Sequence, residues 1–100
     1  MYDASNPEHV KRAEQKEEDI RKRQLNDIRT ILSSSSGRRF MWRVLEKCNA
    51  FGSVFDSDAA YMSYCAGKQD LGHFLMSEIV EADNNLLLKL MKENRKVENE

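Results

Sequence analysis

The stretch Gly37-Arg38-Arg39-Phe40-Met41-Trp42-Arg43-Val44-Leu45-Glu46-Lys47-Cys48 places Phe40, Met41, Val44, Leu45 and Cys48 at spacings of three and four. Residues so spaced share one side of an α-helix, whereas a half-buried strand would alternate. Arg38, Arg39, Arg43 and Lys47 make the opposite side basic, and Trp42 lies off the apolar stripe. A helix from about Gly37 to Cys48 follows. The chain around it obeys the same rule. One proline and four glycines in 100 residues leave few places to turn, so the helices must be long.

Immediately upstream, Ser33-Ser34-Ser35-Ser36 is the clearest break in the chain. Serine competes with the helix backbone for hydrogen bonds and favours helix starts, so Ser35 or Ser36 is expected to open the second helix. Before it, Asn6 can cap free amides and Pro7 suits a first helical position. Nothing from Glu8 to Leu32 then interrupts a helix. Glu17/Arg21, Glu18/Lys22 and Asp19/Arg23 stand four apart in the favourable order, each pair contributing about 0.2–0.5 kcal/mol. Such pairs support a helix without burying it. Val10, Ala13 and Ile20 make only a thin stripe, whereas Leu25, Ile28, Ile31 and Leu32 make a dense one. The last two turns are therefore expected to dock, and the earlier ones to project or to receive a partner.

Downstream, Asn49 to Ser57 reads as a loop whose Phe51 and Phe55 are expected to plug the core. Asp56, Ser57 or Asp58 caps a third helix, which carries Ala59, Tyr61, Met62, Cys65, Ala66, Leu71, Phe74, Leu75 and Ile79. Glycine costs about 1 kcal/mol inside a helix relative to alanine. Gly67 thus marks an interruption or a close neighbour, and Gly72, inside a strong apolar stripe, marks close packing. Asp83 ends this helix and caps the last one, whose face is Leu86, Leu87, Leu90 and Met91; the polar residues after it are expected to fray.

These readings give an all-α fold: a small three-helix bundle over 25–92, a long, highly charged N-terminal helix extending from it as an arm over 1–24, and a frayed tail over 93–100. The opposite charges nearly cancel over the whole chain, which exerts no strong pull towards nucleic acid or membrane. They are unevenly placed. Residues 1–48 carry eleven Lys/Arg against eight Asp/Glu, and residues 49–100 carry five against nine. That gradient suits head-to-tail self-association or an oriented partner. No run approaches 18 apolar residues, and the N-terminus lacks the apolar core of a signal peptide, so a cytoplasmic location is expected. Cys48 and Cys65 stand without a CxxC or a nearby histidine pair and read as buried free thiols.

Two stretches carry a resemblance. One is Ile31-Leu32, the serine run, Gly37 to Leu45 and Cys48. The other is Gly67-Lys68-Gln69-Asp70-Leu71-Gly72, then Leu75, Glu78-Ile79, Ala82-Asp83 and Leu88 to Met91. Together, over roughly 28–92, they resemble a family of small helical proteins from tailed bacteriophages, typified by a Bordetella podovirus member. The family's G-R-R-F-x-W-R pattern is intact. Its second signature reads G-R-R-x-x-G, and here Lys68 and Gln69 replace the arginines, so the resemblance implies no basic site there. It implies a phage protein without an enzymatic role, made in the host cytoplasm and carried in the virion if it is structural.

Candidate chemistry is sparse. Arg38 and Arg39 fall in the first turn of the second helix, where free amides favour anions, with Trp42 and Arg43 one turn on. This face could grip phosphate or carboxylate while Trp42 stacks on a base or a partner. The other reading puts Trp42 in the core and pairs the arginines with acids of the third or fourth helix, such as Glu78, Glu81 or Asp83. Those three carboxylates lack a nucleophile or a placed histidine, His73 and His9 are far apart, and no glycine loop cradles phosphate. No metal, cofactor or catalytic residue is expected. Partner contact is assigned to Arg38, Arg39, Trp42 and Arg43 and to the arm residues Val10, Ala13 and Ile20. The expected partners are phage structural proteins or a second copy, with nucleic acid as the alternative and no membrane.

Overall fold

The computed structural model describes residues 2–98 and, within them, the side chains of residues 2–95. They form four helices: α1 (Pro7–Ile31), α2 (Ser35–Lys47), α3 (Ala59–Ala82) and α4 (Leu86–Glu98), with no strand among the described residues. The all-α class expected from the sequence holds, in four helices of which the first is the long N-terminal one.

Local chemistry sets the starts. The Asn6 side chain accepts from the Glu8 amide at 2.9 Å, and Pro7 occupies the first turn. Helix α2 starts at Ser35, as expected, and Ser34 caps it by accepting from the Gly37 amide at 3.1 Å. Asp58 caps α3 through the amides of Ala60 and Tyr61. Asp83 closes α3, and its carboxylate accepts from the Asn85 amide just ahead of α4. The stretch expected to fray over 93–100 is helical to Glu98, and its residues 99–100 lie outside the described residues.

The end of α2 is a Schellman motif. The Ala50 amide donates to the Leu45 carbonyl and the Asn49 amide to the Glu46 carbonyl. The motif needs a left-handed residue past the cap, and Asn49 supplies it with φ 52°. Leu45 and Ala50, brought together by the turn, are both buried.

Leu32, Trp42, Leu45, Ala50, Ile79, Leu86 and Leu90 form the core, with Ile28, Met41, Leu75, Met76, Leu87 and Met91 packed against it. All four helices or their caps contribute. Helix α3 is the hub, packing on α1, α2 and α4. The expected close approach at Gly72 is present: a Cβ there would lie 2.8 Å from Cys48 Cβ and 3.0 Å from Ala50 Cβ. Gly67 is different. The helix passes through it unbroken and nothing lies within 4 Å of where its Cβ would be.

The body is broad and flat, 58 × 37 × 17 Å with a radius of gyration of 18.4 Å. A compact domain of this length has about 13 Å. Packed helices lie about 8–10 Å apart, so the thin dimension accommodates only two layers. Much apolar surface consequently stays outside: Phe40, Tyr61, Tyr64, Leu71 and Phe74 are all exposed.

Candidate functional site

The face assigned to partner contact on α2 divides in two. Trp42, expected off the apolar stripe, is only 6% exposed and stacks on Phe51 with ring centroids 5.3 Å apart. Phe40, expected inside, is 59% exposed. The buried side of α2 runs through Arg38, Trp42 and Leu45, which shifts the inward face away from Phe40. Of the two plugs expected in the loop, Phe51 caps Trp42 at the surface, while Phe55 is 84% exposed and plugs nothing.

Arg38 is also turned inward. Its Nε donates to both carboxylate oxygens of Glu93 on α4, at 2.8 and 3.1 Å, and its Nη1 donates to the Leu32 carbonyl at 3.0 Å. That second bond satisfies a carbonyl at the end of α1 that would otherwise be buried without a donor. The guanidinium holds the Glu93 carboxyl below its ordinary range. Arg38 and Trp42 are therefore withdrawn from partner contact, and Arg38 pairs with none of Glu78, Glu81 or Asp83. Arg39 and Arg43 remain exposed.

Two carboxylates of that expected cluster are taken by a residue the sequence reading left on an exposed face. Arg21 of α1 reaches Glu78 and Glu81 of α3 together, through both ends of its guanidinium. The pairing raises the Arg21 pKa and lowers that of Glu78, in each case chiefly through their mutual hydrogen bonds. About two turns further on, Arg29 donates to the Ala82 carbonyl at 2.6 Å. Docking of α1 thus begins at Arg21, a turn before the dense apolar stripe, and no residue of α1 is fully buried. Val10 and Ala13 are half-buried and Ile20 is exposed.

Two polar residues of α3 fix the loop. Gln69 Nε2 donates to the carbonyls of Asn49 and Gly52 at 2.8 and 2.7 Å, and His73 Nε2 lies 3.0 Å from the Ala50 carbonyl. In the sequence, Gln69 stands in place of a family arginine and His73 stands far from the other histidine. Their four-residue spacing on one face of a helix was the available signal. Cys48 is buried as expected, but Cys65 is half-buried, beside Tyr61, whose hydroxyl pKa its thiol raises.

What remains outside is an open groove of about 590 Å³ between α2 and α3. Phe40, Val44 and Leu71 form its apolar walls, and Arg43, Lys47 and Lys68 stand around it. Lys68 also lies over the Tyr64 ring, 4.9 Å from its centroid. No helix among the described residues is long and apolar enough to cross a membrane, and no group of three or more His, Cys, Asp or Glu among them is arranged to hold a metal ion.

The groove, Arg38 and the Gln69 clamp lie within residues 28–92, the span matched by the family model for Bbp19-like phage protein, and Glu93, the acid that holds Arg38, is the next residue after it. The chain belongs to that family. It is therefore a bacteriophage protein, as the resemblance implied. No curated protein and no solved structure matches the chain. The matched span includes both motifs: Gly37 to Arg43, which supplies Arg38 and Trp42 to the core, and Gly67 to Gly72, which supplies Gln69 to the loop and Lys68 and Leu71 to the groove. The part of α1 before residue 28 lies outside it.

Proposed function

We propose that this Bbp19-like phage protein is a non-enzymatic structural or virion-associated component that works through protein–protein contact. The observation that carries the reading is the basic-edged apolar groove between α2 and α3, on a body only 17 Å thick. Exposed apolar surface bordered by charge is what a contact site presents before its partner arrives. Arg39 and Arg43, together with the groove, replace the original four-residue face, and the α1 arm with Val10, Ala13 and Ile20 is the second contact element. The protein would act in the host cytoplasm during assembly and remain in the particle if its contacts are permanent. Mass spectrometry of purified virions and assembly intermediates tests this: the protein is expected in at least one of them, and its absence from both defeats the reading.

A second reading has its own observation. Arg39, Arg43 and Lys47 are exposed along α2 and Lys68 stands across the groove, so phosphate contact is chemically available. A nucleic-acid complex would weaken log-linearly with salt, at about 0.9 per phosphate neutralised on duplex DNA. A gel-shift titration without binding at low salt removes this reading.

A further inference from the structure

We propose that two copies of this chain exchange arms, the N-terminal half of α1 from each copy lying in the α2/α3 groove of the other. The inference rests on the contact reading above and names the partner. Residues 7–20 form helix with no fully buried residue, and their docking neighbours start only at Arg21. No residue of α1 lines the groove of its own chain. Along α1, Arg21 lies at Glu78 and Glu81, Gln24 and Ile28 lie beside Phe74 and Leu75, and Arg29 reaches Ala82. Arg21 and Arg29 thus both meet α3 in its last turns, while the groove sits at Lys68 and Leu71, midway along that helix. A second molecule supplies the arm.

Arm and groove match in chemistry. Residues 7–20 hold five acids against three Lys/Arg. Glu14 stands four residues after Val10, and Glu17 four after Ala13 and three before Ile20, so the apolar stripe carries carboxylates within it. The groove offers the complement: apolar walls from Phe40, Val44 and Leu71, with Arg43, Lys47 and Lys68 against the single acid Glu46. An amphipathic helix laid in such a groove is a recurrent mode of recognition. Mutual exchange closes on itself as a two-fold dimer, so neither arm nor groove is left over.

The test uses the full chain and charge reversal at exposed or half-exposed positions. One variant carries Glu14→Lys with Glu17→Lys, the other Lys47→Glu with Lys68→Glu. Circular dichroism checks that each remains helical. Sedimentation equilibrium of the unaltered chain is expected to show a dimer of 11.6 kDa subunits that loosens with salt. Each reversal alone should weaken dimerisation by about tenfold or more. Mixed together, the two variants should form a heterodimer, seen by native mass spectrometry, because each arm then meets a groove of opposite sign. A chain that stays monomeric to about 1 mM overturns the exchange. So does a dimer indifferent to both reversals, or a mixture that fails to recover. A monomer found in virions would overturn the exchange alone and leave the contact reading standing, so the two failures are distinguishable.

Discussion

Arg38 and Arg21 each join two helices through a carboxylate, and they do so in opposite surroundings. Arg38 links α2 to α4 with its side chain only 9% exposed, and it also satisfies the carbonyl of Leu32. Arg21 links α1 to α3 with a third of its side chain in solvent and bonds to two acids, one of them more than half exposed. A buried charge that loses its partner is costly, whereas an exposed pair trades its bonds for water at little loss. The difference teaches which part of the molecule is its fixed frame. The α2–α4 side is locked by burial. The α1–α3 side adds the surface charge of Arg21 to the packing of Ile28 and Leu32, and ahead of Arg21 the helix is held by its own hydrogen bonds.

The strongest way to break this contrast is Arg38→Ala. It strands the Leu32 carbonyl and the Glu93 carboxylate together, and should lower unfolding stability by about 3 kcal/mol, measured by urea denaturation. Arg38→Met, which keeps the aliphatic stem, should recover part of that loss. Gly72→Ala tests the same frame by overpacking. The new methyl would stand 2.8 Å from Cys48 Cβ, and a cost of about 2 kcal/mol is expected, whereas Gly67→Ala, with open space around it, should stabilise α3 by up to about 1 kcal/mol.

Glu93→Gln is milder, about 1 kcal/mol, because the carboxylate is one third exposed and screened by solvent. Its sharper signature is in pH. Glu93 titrates below its ordinary value near 4.5 in the folded chain, as Glu78 does. A depressed carboxylate contributes stability that is complete above the unfolded pKa and lost as pH falls through the folded one. Stability should therefore hold from neutrality to about pH 5 and decline below about pH 4.5, and Glu93→Gln should flatten part of that decline. The smallest effect belongs to Arg21→Ala. It should shift the thermal midpoint less than Arg38→Ala does, and the shift should shrink in high salt. A shift as large as that of Arg38→Ala would abolish the contrast.

Helix starts and stops were legible because their causes are local. Asn6-Pro7, the serine run and Asp58 act within three residues of themselves, and Gly72 announced a close neighbour by lacking a side chain. The rotation of α2 was not legible. Phe40, Met41, Trp42, Val44 and Leu45 cover much of that helix, so several faces are apolar enough to bury, and the choice is made by α3 and α4. Arg38 compounds this, since a charged residue reads as solvent-facing until a carboxylate 55 positions later is known to meet it. The same holds for Arg21, whose partners lie 57 and 60 residues away. The groove was hidden for the same reason: it is made of what the rotated α2 leaves outside.

The uneven anchoring of α1 has a kinetic consequence. Near Leu32, which is 1% exposed, a backbone amide can exchange its hydrogen only when the core opens. Near Val10 the same helix is governed by the coil–helix balance of its first turns, for which the Asn6 cap is the main local restraint. In a lone chain, deuterium uptake should therefore rise steadily from the end of α1 towards its start, within one unbroken helix, and the exchange of arms should suppress that rise.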